Sequence, residues 1–297
     1  MELRKLDLHR KGLKRLSPTP YLLLLPTLAL FAVFTYYPFF KTIFLSFTIT
    51  DKTGAFSKWV GFANWRRILG KSSFWDIVGT TLEFAGLNLV FTFAIAMFFA
   101  LLSMNKARGA KIYQVLYAMP LAIASSPAAA IWLFLFRKES GLLNFFLGTS
   151  YAWTRDASVA LFATSIVTIW MHVGASFIFL LVGFRNVDDE LIESAIIDGA
   201  GPLRRIFSVI IPIASPQIFF VLFLNITNSF KAFAQIKLLT GGGPSNATKT
   251  LIFSVYENAI TNGRFETACV QSLVLFAIIF LATRIQFVLE NRTVFYQ

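Results

Sequence analysis

The chain has 297 residues, of which 56% are hydrophobic and 14% charged, and its mean hydropathy is +0.66. Soluble domains carry about 25% charged residues, so this deficit, together with 34 phenylalanines, indicates a membrane protein rather than a soluble one. No basic face or base-stacking module accompanies the net charge of +12, which argues against nucleic acid as a partner and favours anionic lipid headgroups.

The N-terminal part predicts a basic cytoplasmic segment followed by a membrane span. Residues 1–20 contain Arg and Lys at intervals, and Tyr21–Phe40 then continues without a charge. This run is longer than the roughly 7–15 residues of a signal-peptide core, and no A-x-A cleavage site follows it. We therefore predict an uncleaved first span.

Five further uncharged runs predict five more spans, because about 20 apolar residues cross a bilayer as a helix. They are Phe84–Asn105, Ile112–Phe136, Ala157–Phe184, Ile206–Phe230 and Thr267–Thr283. The sequence thus predicts an all-α membrane protein with six transmembrane helices, a transmembrane domain over 21–290 and a cytoplasmic C-terminus over 291–297. Proline and small polar residues inside the spans favour kinked helices around a moving cavity, although membrane helices also simply tolerate such residues.

The distribution of Lys and Arg gives the orientation only weak support. Six spans place both termini on one side, and the basic N-terminus and the short basic link Lys106–Lys111 favour the cytoplasm for that side. The predicted inner loops together carry 14 Lys and Arg, however, and the predicted outer loops carry 13.

The segment 186–205, between the fourth and fifth spans, predicts a short amphipathic helix. Asp188–Glu190 suit a helix N-terminus, and Leu191, Ala195 and Ile196 follow on one face, with Ile192 beside them. Gly199, with Gly201-Pro202 behind it, should end the helix. A part-apolar helix exposed at the cytoplasmic face suggests a docking site for a soluble protein; the alternative is an ordinary juxtamembrane helix.

This segment also resembles a known motif. Glu193-Ser194-Ala195, Gly199 and the run Val209–Pro212 are similar to the EAA loop of ABC importer permeases, with Ser194 where Ala is usual, and Asp198-Gly199-Ala200 is similar to its sugar-type version. The outer segments Trp59–Trp65 and Leu238–Pro244 resemble loops of the same family. The chain is therefore similar to carbohydrate-type permeases of the maltose and glycerol-3-phosphate branch, and Ile192–Arg205 most resembles the first permease subunits of glycerol-3-phosphate importers.

The resemblance implies a type I ABC importer permease fold, with a cytoplasmic coupling helix, in a bacterial inner (plasma) membrane. It implies a heterodimer with a second permease, two ATPase subunits and an external solute-binding protein. The chain has no G-x-x-x-x-G-K-[ST] run, so ATP and Mg would be bound by the ATPase subunits, and we expect no cofactor on this chain. The residues implied in coupling to the ATPase are Glu193, Ser194, Ala195, Ile196, Asp198 and Gly199.

Polar residues inside spans are costly in lipid and are therefore candidates for substrate contact. The candidates in the predicted fourth and fifth spans and just beyond are Thr168, His172, Asn225, Asn228, Ser229 and Lys231. Trp170, Phe177 and Phe230 are candidates for an aromatic wall. The alternatives are that asparagines join helices and that Lys231 reaches the headgroups.

Two other classes of function stay open. One is a secondary carrier or channel without an ATPase, which inverted repeats would favour, and the sequence shows none. The other is a membrane enzyme acting on lipid. The sequence has no H-E-x-x-H or G-x-S-x-G run, and its single cysteine, Cys269, gives neither a disulfide nor a metal cluster, so we expect a transport subunit and not an enzyme.

Overall fold

The computed structural model describes residues 19–104 and 110–294, with the side chains of 19–21, 110, 292 and 293 left out. Residues 1–18 of the predicted basic N-terminus, most of the basic link Lys106–Lys111 and residues 295–297 lie outside the described residues. The chain divides into two units, the first ending at Phe44 and the second beginning at Leu45.

The first unit is one apolar helical run. It comprises α1 (Thr19–Phe31), a π-helical turn (Ala32–Tyr36) and most of α2 (Tyr37–Ser46). The run remains helical past Phe40, where the uncharged stretch stops, and Thr42 Oγ1 donates to the carbonyl oxygen of Pro38 at 2.8 Å. Pro38 is the second residue after the π-helical turn, where the shifted hydrogen-bond pattern accommodates a residue without an N–H.

Four long helices form the bundle of the second unit: α4 (Ser72–Ser103), α8 (Ala160–Arg185), α12 (Ser215–Lys231) and α15 (Phe265–Thr293). α4 and α8 run parallel, because Asn88 in the middle of α4 approaches Ser165 early in α8, and Arg185 Nη2 donates to Ser103 O where both helices end. α12 and α15 run antiparallel, because Gln286 Nε2, late in α15, donates to Phe219 O, early in α12, at 2.7 Å.

Small side chains allow α4 and α8 to approach closely. Ala96 and Ala100 of α4 are fully buried against Phe177, Leu180 and Phe184 of α8, in the core that also receives α12. Lipid is as apolar as these side chains, so tight packing rather than hydrophobic exclusion holds the helices together.

The predicted third span is broken. The chain forms α5 (Ala110–Ala118), a 3₁₀ turn (Met119–Ala122) and α6 (Ser125–Leu135), and the two helical parts meet at an angle of 105°. Pro120 opens the 3₁₀ turn and Pro127 lies in the first turn of α6. Neither proline can donate a backbone hydrogen bond, so the helical pattern of backbone hydrogen bonds is interrupted on both sides of the bend. α7 (Leu142–Leu147) follows.

A small module precedes α4, and it contains the two β-strands of the described chain. β1 (Thr48–Thr50) pairs antiparallel with β2 (Phe56–Trp59), and α3 (Ala63–Leu69) leads to α4. Asn64 is buried and donates to the carbonyl oxygens of Ser46 and Thr48, so this residue of the Trp59–Trp65 pattern holds the hairpin. In the turn, hydrogen bonds from the Thr53 side chain and then from the Ala55 backbone lower the pKa of Asp51.

The remaining elements flank α12. Before it lie α9 (Asp189–Ile197), α10 (Pro202–Arg205), a π-helical turn (Ile206–Ile210) and α11 (Ile211–Ile213). After it come α13 (Ala234–Leu239), α14 (Leu251–Tyr256) and a π-helical turn (Glu257–Thr261). The uncharged run Ile206–Phe230 is therefore not one continuous helix, since its helical segments are interrupted at Ala214.

By length and composition, five described helical runs can cross a membrane, and six if α5 and α6 form one span. The second and sixth extend beyond the uncharged runs, since α4 begins at Ser72 and α15 continues to Thr293. The prediction of an all-α protein with six apolar helices is confirmed, with the small hairpin as an addition.

Candidate functional site

The first candidate site is α9 with the turn that follows it, inside the segment 186–205. α9 ends in a Schellman motif. Gly199 N–H donates to Ile196 O at 3.0 Å and Ala200 N–H donates to Ala195 O at 2.9 Å, which satisfies carbonyls that the helix leaves unpaired. Gly199 has a φ of +77°, which glycine adopts without strain. The predicted helix end at Gly199 is therefore confirmed.

The apolar side chains of α9 point in two directions. Ile192 packs against the core formed by α4, α8 and α12, and Ala195, one turn later, is half-buried. Leu191, Ile196 and Ile197 are exposed, Ile197 by 86%. Leu191 and Ile196 therefore lie outside the contact with the bundle, which Ile192 makes instead. Glu193, Ser194 and Asp198 are exposed beside them. The helix rests on the bundle by one face and presents an apolar, acid-flanked face to its surroundings.

A groove of about 630 Å³ runs between α9, α10 and the ends of α4 and α8. Leu101, Phe184 and Ile210 line its apolar part, and charged side chains line its rim. The rim residues are Arg185, Asp188, Asp189 and Arg205. Because Arg185 also bonds to Ser103 O at 3.1 Å, the end of α8 is tied to the end of α4 directly beneath α9.

The second candidate site is the set of polar residues in α8 and α12. Asn225 is buried, 3% exposed, and its Oδ1 accepts a hydrogen bond from Ser176 Oγ at 3.0 Å. Its Nδ2 has no hydrogen-bond partner among the described residues. Asn225 thus lies at the contact between α8 and α12, the arrangement expected of an asparagine that joins helices.

The other five candidates divide by exposure. Thr168 and Ser229 are buried, and Thr168 Oγ1 donates to Thr164 O one turn back in its own helix. Asn228 and Lys231 are exposed, one helical turn apart on α12, and His172 is half-buried with Nδ1 2.7 Å from Thr168 O. The side chains of Asn228 and Lys231, and part of that of His172, are therefore accessible from outside this chain.

The aromatic residues predicted as one wall are separated. Phe177 belongs to the core between α4, α8 and α12, whereas Phe230 belongs to a second cluster with α3, α4 and α15. Trp170 stands edge-to-face with Trp132, with 5.8 Å between the ring centroids, and both line an apolar cavity of about 460 Å³ near the bend between α5 and α6. The three rings therefore belong to separate clusters, and in this structure they do not form one wall.

Sequence reasoning overlooked the polar residues of α4. Asn88 is 2% exposed, its Nδ2 donates to Phe84 O at 2.7 Å, and its Oδ1 has no partner among the described residues. Asn88 lies inside the uncharged run Phe84–Asn105, so the criterion that selected Asn225 would also have selected Asn88.

Comparison with known proteins identifies the family to which this chain belongs. Residues 92–295 match the family model of the binding-protein-dependent transport system inner membrane component. The chain belongs to this family, and it is a membrane-spanning permease component of an ABC importer.

Individual relatives agree. The sn-glycerol-3-phosphate transport system permease protein UgpA of Yersinia enterocolitica is 35% identical over 94% of this chain and 96% of its own length. UgpA of Pectobacterium atrosepticum is 34% identical over 95% of this chain and 97% of its own length. Among solved structures, a chain of a bacterial alginate ABC transporter, in complex with a periplasmic protein that holds an alginate pentasaccharide, matches with a TM-score of 0.80. That chain is 20% identical and the match covers 92% of this chain and 94% of that one, so it supports the fold alone.

Proposed function

We propose that this permease imports sn-glycerol-3-phosphate or a closely related phosphorylated polyol. The observation that carries the proposal is the identity of 33–35% to UgpA proteins over 94–95% of the chain. Identity of this extent favours a shared substrate class over a neutral sugar or oligosaccharide.

The import cycle needs partners that the chain itself does not supply. We infer a second, related permease, two ATPase subunits that bind ATP and Mg, and an external solute-binding protein. The exposed face of α9 supports a docking role for this helix: Ile196 offers apolar contact area and Glu193 offers a charge beside it. Closure of the ATPase dimer then moves α9 and, through Ile192 and the groove beneath it, the ends of α4 and α8.

The inferred orientation follows from that docking role. α9 faces the cytoplasm, the hairpin β1–β2 faces the outside, and an even number of spans keeps both termini in the cytoplasm. We infer the inner membrane of a bacterium, which the family's description as an inner membrane component supports.

Within the membrane we infer that the substrate path follows the polar residues of α8 and α12. Asn228, Lys231 and His172 are the accessible members, and Lys231 supplies a positive charge for a phosphate. Asn225, Thr168 and Ser229 are buried here and contact substrate only when the helices separate during the cycle.

The test is ATP hydrolysis by the co-expressed complex in lipid with its solute-binding protein, against glycerol phosphates and neutral oligosaccharides. We expect stimulation by sn-glycerol-3-phosphate and a weaker response to the 2-isomer. Stimulation by a neutral oligosaccharide alone would overturn the substrate, and purification without an ATPase would overturn the class of importer.

A further inference from the structure

A basic cavity lies at the opposite end of the bundle from α9, where α4 and α15 begin. Its volume is about 290 Å³, and Arg67, Lys71, Lys249 and Arg264 contribute to its lining. These four cations come from three separate parts of the chain: the end of α3 with the connection to α4, the residues before α14, and the residue before α15. None of them belongs to the path proposed above.

Two of the four cations are neutralised within the chain. Arg67 Nη2 lies 3.5 Å from Glu266 Oε1, and Lys249 forms an ion pair with Glu257. The side chains of Lys71 and Arg264 are exposed, and neither has an acidic partner among the described residues. The cavity therefore retains two uncompensated positive charges.

Two helix N-termini add to the positive electrostatic potential of the cavity. Lys71 is the residue immediately before α4 and Arg264 the residue immediately before α15, so both cations stand at positive ends of helix dipoles. These helices have 32 and 29 residues, and their first backbone N–H groups lack partners within the helix. Cationic side chains beside such groups form a favourable environment for an anion.

The wall of the cavity is polar, and hydrogen bonds among its side chains hold them in place. Gln271 is 5% exposed, and its Oε1 accepts hydrogen bonds from Ser254 Oγ at 3.1 Å and Asn258 Nδ2 at 3.2 Å. These contacts fix α14 and the turn after it against α15. The space corresponds to roughly ten water volumes of about 30 Å³ each, enough for a tetrahedral anion with a small organic substituent.

We propose that this cavity binds a phosphate group. A phosphomonoester carries a charge of about −1.5 to −2 at neutral pH, which matches two free cations better than a carboxylate does. The phosphate comes either from a free phosphate or phosphomonoester outside the membrane, or from the phosphodiester of a phospholipid headgroup, which brings a single negative charge to the same two cations. The proposal does not depend on the transported substrate, because either source places the same group between Lys71 and Arg264.

One variant tests both sources. In Lys71→Gln/Arg264→Gln the two unpaired charges are removed from exposed positions, so the fold has no ion pair to lose. The matched control, Lys138→Gln/Arg155→Gln, removes the same charge from exposed residues outside the cavity. The whole complex is used, so any phosphate sites of its other subunits are equally present in all three samples.

The first arm measures binding of radiolabelled inorganic phosphate to complexes in maltoside detergent stripped of phospholipid. If free phosphate is the occupant, the double variant loses at least about tenfold in affinity for one site per complex and the control does not, because each charge-assisted contact exceeds one tenfold step.

The second arm takes complexes from vesicles of phosphatidylcholine and phosphatidylglycerol and counts retained phospholipid by native mass spectrometry. If a headgroup is the occupant, the double variant retains at least one phospholipid fewer than wild type and the control retains the same number. Equal binding by wild type and double variant in both arms overturns the proposal. Neither arm uses sn-glycerol-3-phosphate, so failure here leaves the substrate assignment untouched, and the reverse holds too.

Discussion

Gly199 and Gly201 differ in the backbone angle φ, and this difference decides which of the two positions requires glycine. Both lie in the turn after α9, and a Cβ added to either would meet no atom within 4 Å. Gly199 has a φ of +77°, whereas Gly201 has a φ of −65° and ψ of 167°, an extended conformation that any residue preceding a proline adopts readily. The structural requirement for glycine is therefore confined to Gly199.

Gly199→Ala tests the docking role of α9. The left-handed conformation costs an L-residue about 1–2 kcal/mol, which favours a shifted helix end. We expect the subunit to reach the membrane normally while substrate-stimulated uptake falls more than ATP hydrolysis, and we expect Gly201→Ala to behave as wild type. Uptake and ATPase assays on the same vesicles decide this. Equal effects of the two substitutions would argue against coupling through this helix end.

Asn225 and Asn228 are three positions apart in the same helix but have different surroundings. Asn225 is buried against Ser176 of α8, whereas Asn228 is exposed. The structure therefore gives Asn225 a contact between helices, whereas contact with substrate is proposed for Asn228.

Alanine substitution of each asparagine should separate stability from transport. We expect Asn225→Ala to lower the free energy of unfolding by about 1 kcal/mol, since an interhelical hydrogen bond is lost. We expect Asn228→Ala to leave stability unchanged and to reduce substrate-stimulated ATP hydrolysis. Thermal unfolding of the purified complex and its ATPase activity measure the two effects. Full activity of Asn228→Ala would remove this residue from the substrate path.

At the scale of elements, the close approach of helices depends on particular glycines. A Cβ on Gly183 of α8 would lie 2.7 Å from Gln217 Cβ and 2.9 Å from Gln217 Cγ, at the beginning of α12. The Cβ atom of Gln217 is attached to the backbone, so no side-chain rotation can move it away. Gly86 of α4 would meet nothing within 4 Å.

Gly183→Ala should therefore destabilise the contact between α8 and α12, by about 1–3 kcal/mol, as overpacking does in a filled core. Gly86→Ala is the control, and we expect no loss, since alanine is the better helix former. The melting temperature of the purified complex is the measurement. An unchanged melting temperature in Gly183→Ala would mean that the two helices are not held at this distance in the assembly.

For the broken span α5–α6, the sequence predicts a kink but not its angle. Pro120 and Pro127 indicate a kink, and the structure has a bend of 105° between them. The angle is set by how α6 packs between α8 and α13, through contacts that no local pattern contains.

In the second unit as a whole, α9 and the basic cavity lie at opposite ends of the helical bundle, whose longest helix is α4. Its 32 residues extend over roughly 48 Å at 1.5 Å per residue, enough to cross a bilayer. The two proposals therefore concern opposite faces of a membrane.

Labelling of single cysteines tests this orientation. In a Cys269→Ser background, Ser57→Cys in the hairpin and Ser194→Cys in α9 both place a thiol at an exposed serine position. We expect a membrane-impermeant maleimide to label Ser57→Cys in spheroplasts and to label Ser194→Cys only after permeabilisation. The reverse pattern would invert the topology and exclude docking of α9 to a cytoplasmic ATPase.

The sequence by itself determined the class of this protein. Hydropathy identified the apolar segments because lipid requires continuous apolar helices, and α9 with its end at Gly199 was predictable because helix caps are local. The tertiary structure alone decided which polar residues face each other. Asn225 meets Ser176 across 49 positions, and the basic cavity draws side chains from positions 67 to 271. Such contacts depend on how helices rotate and cross when they pack, which the sequence pattern of one helix does not encode.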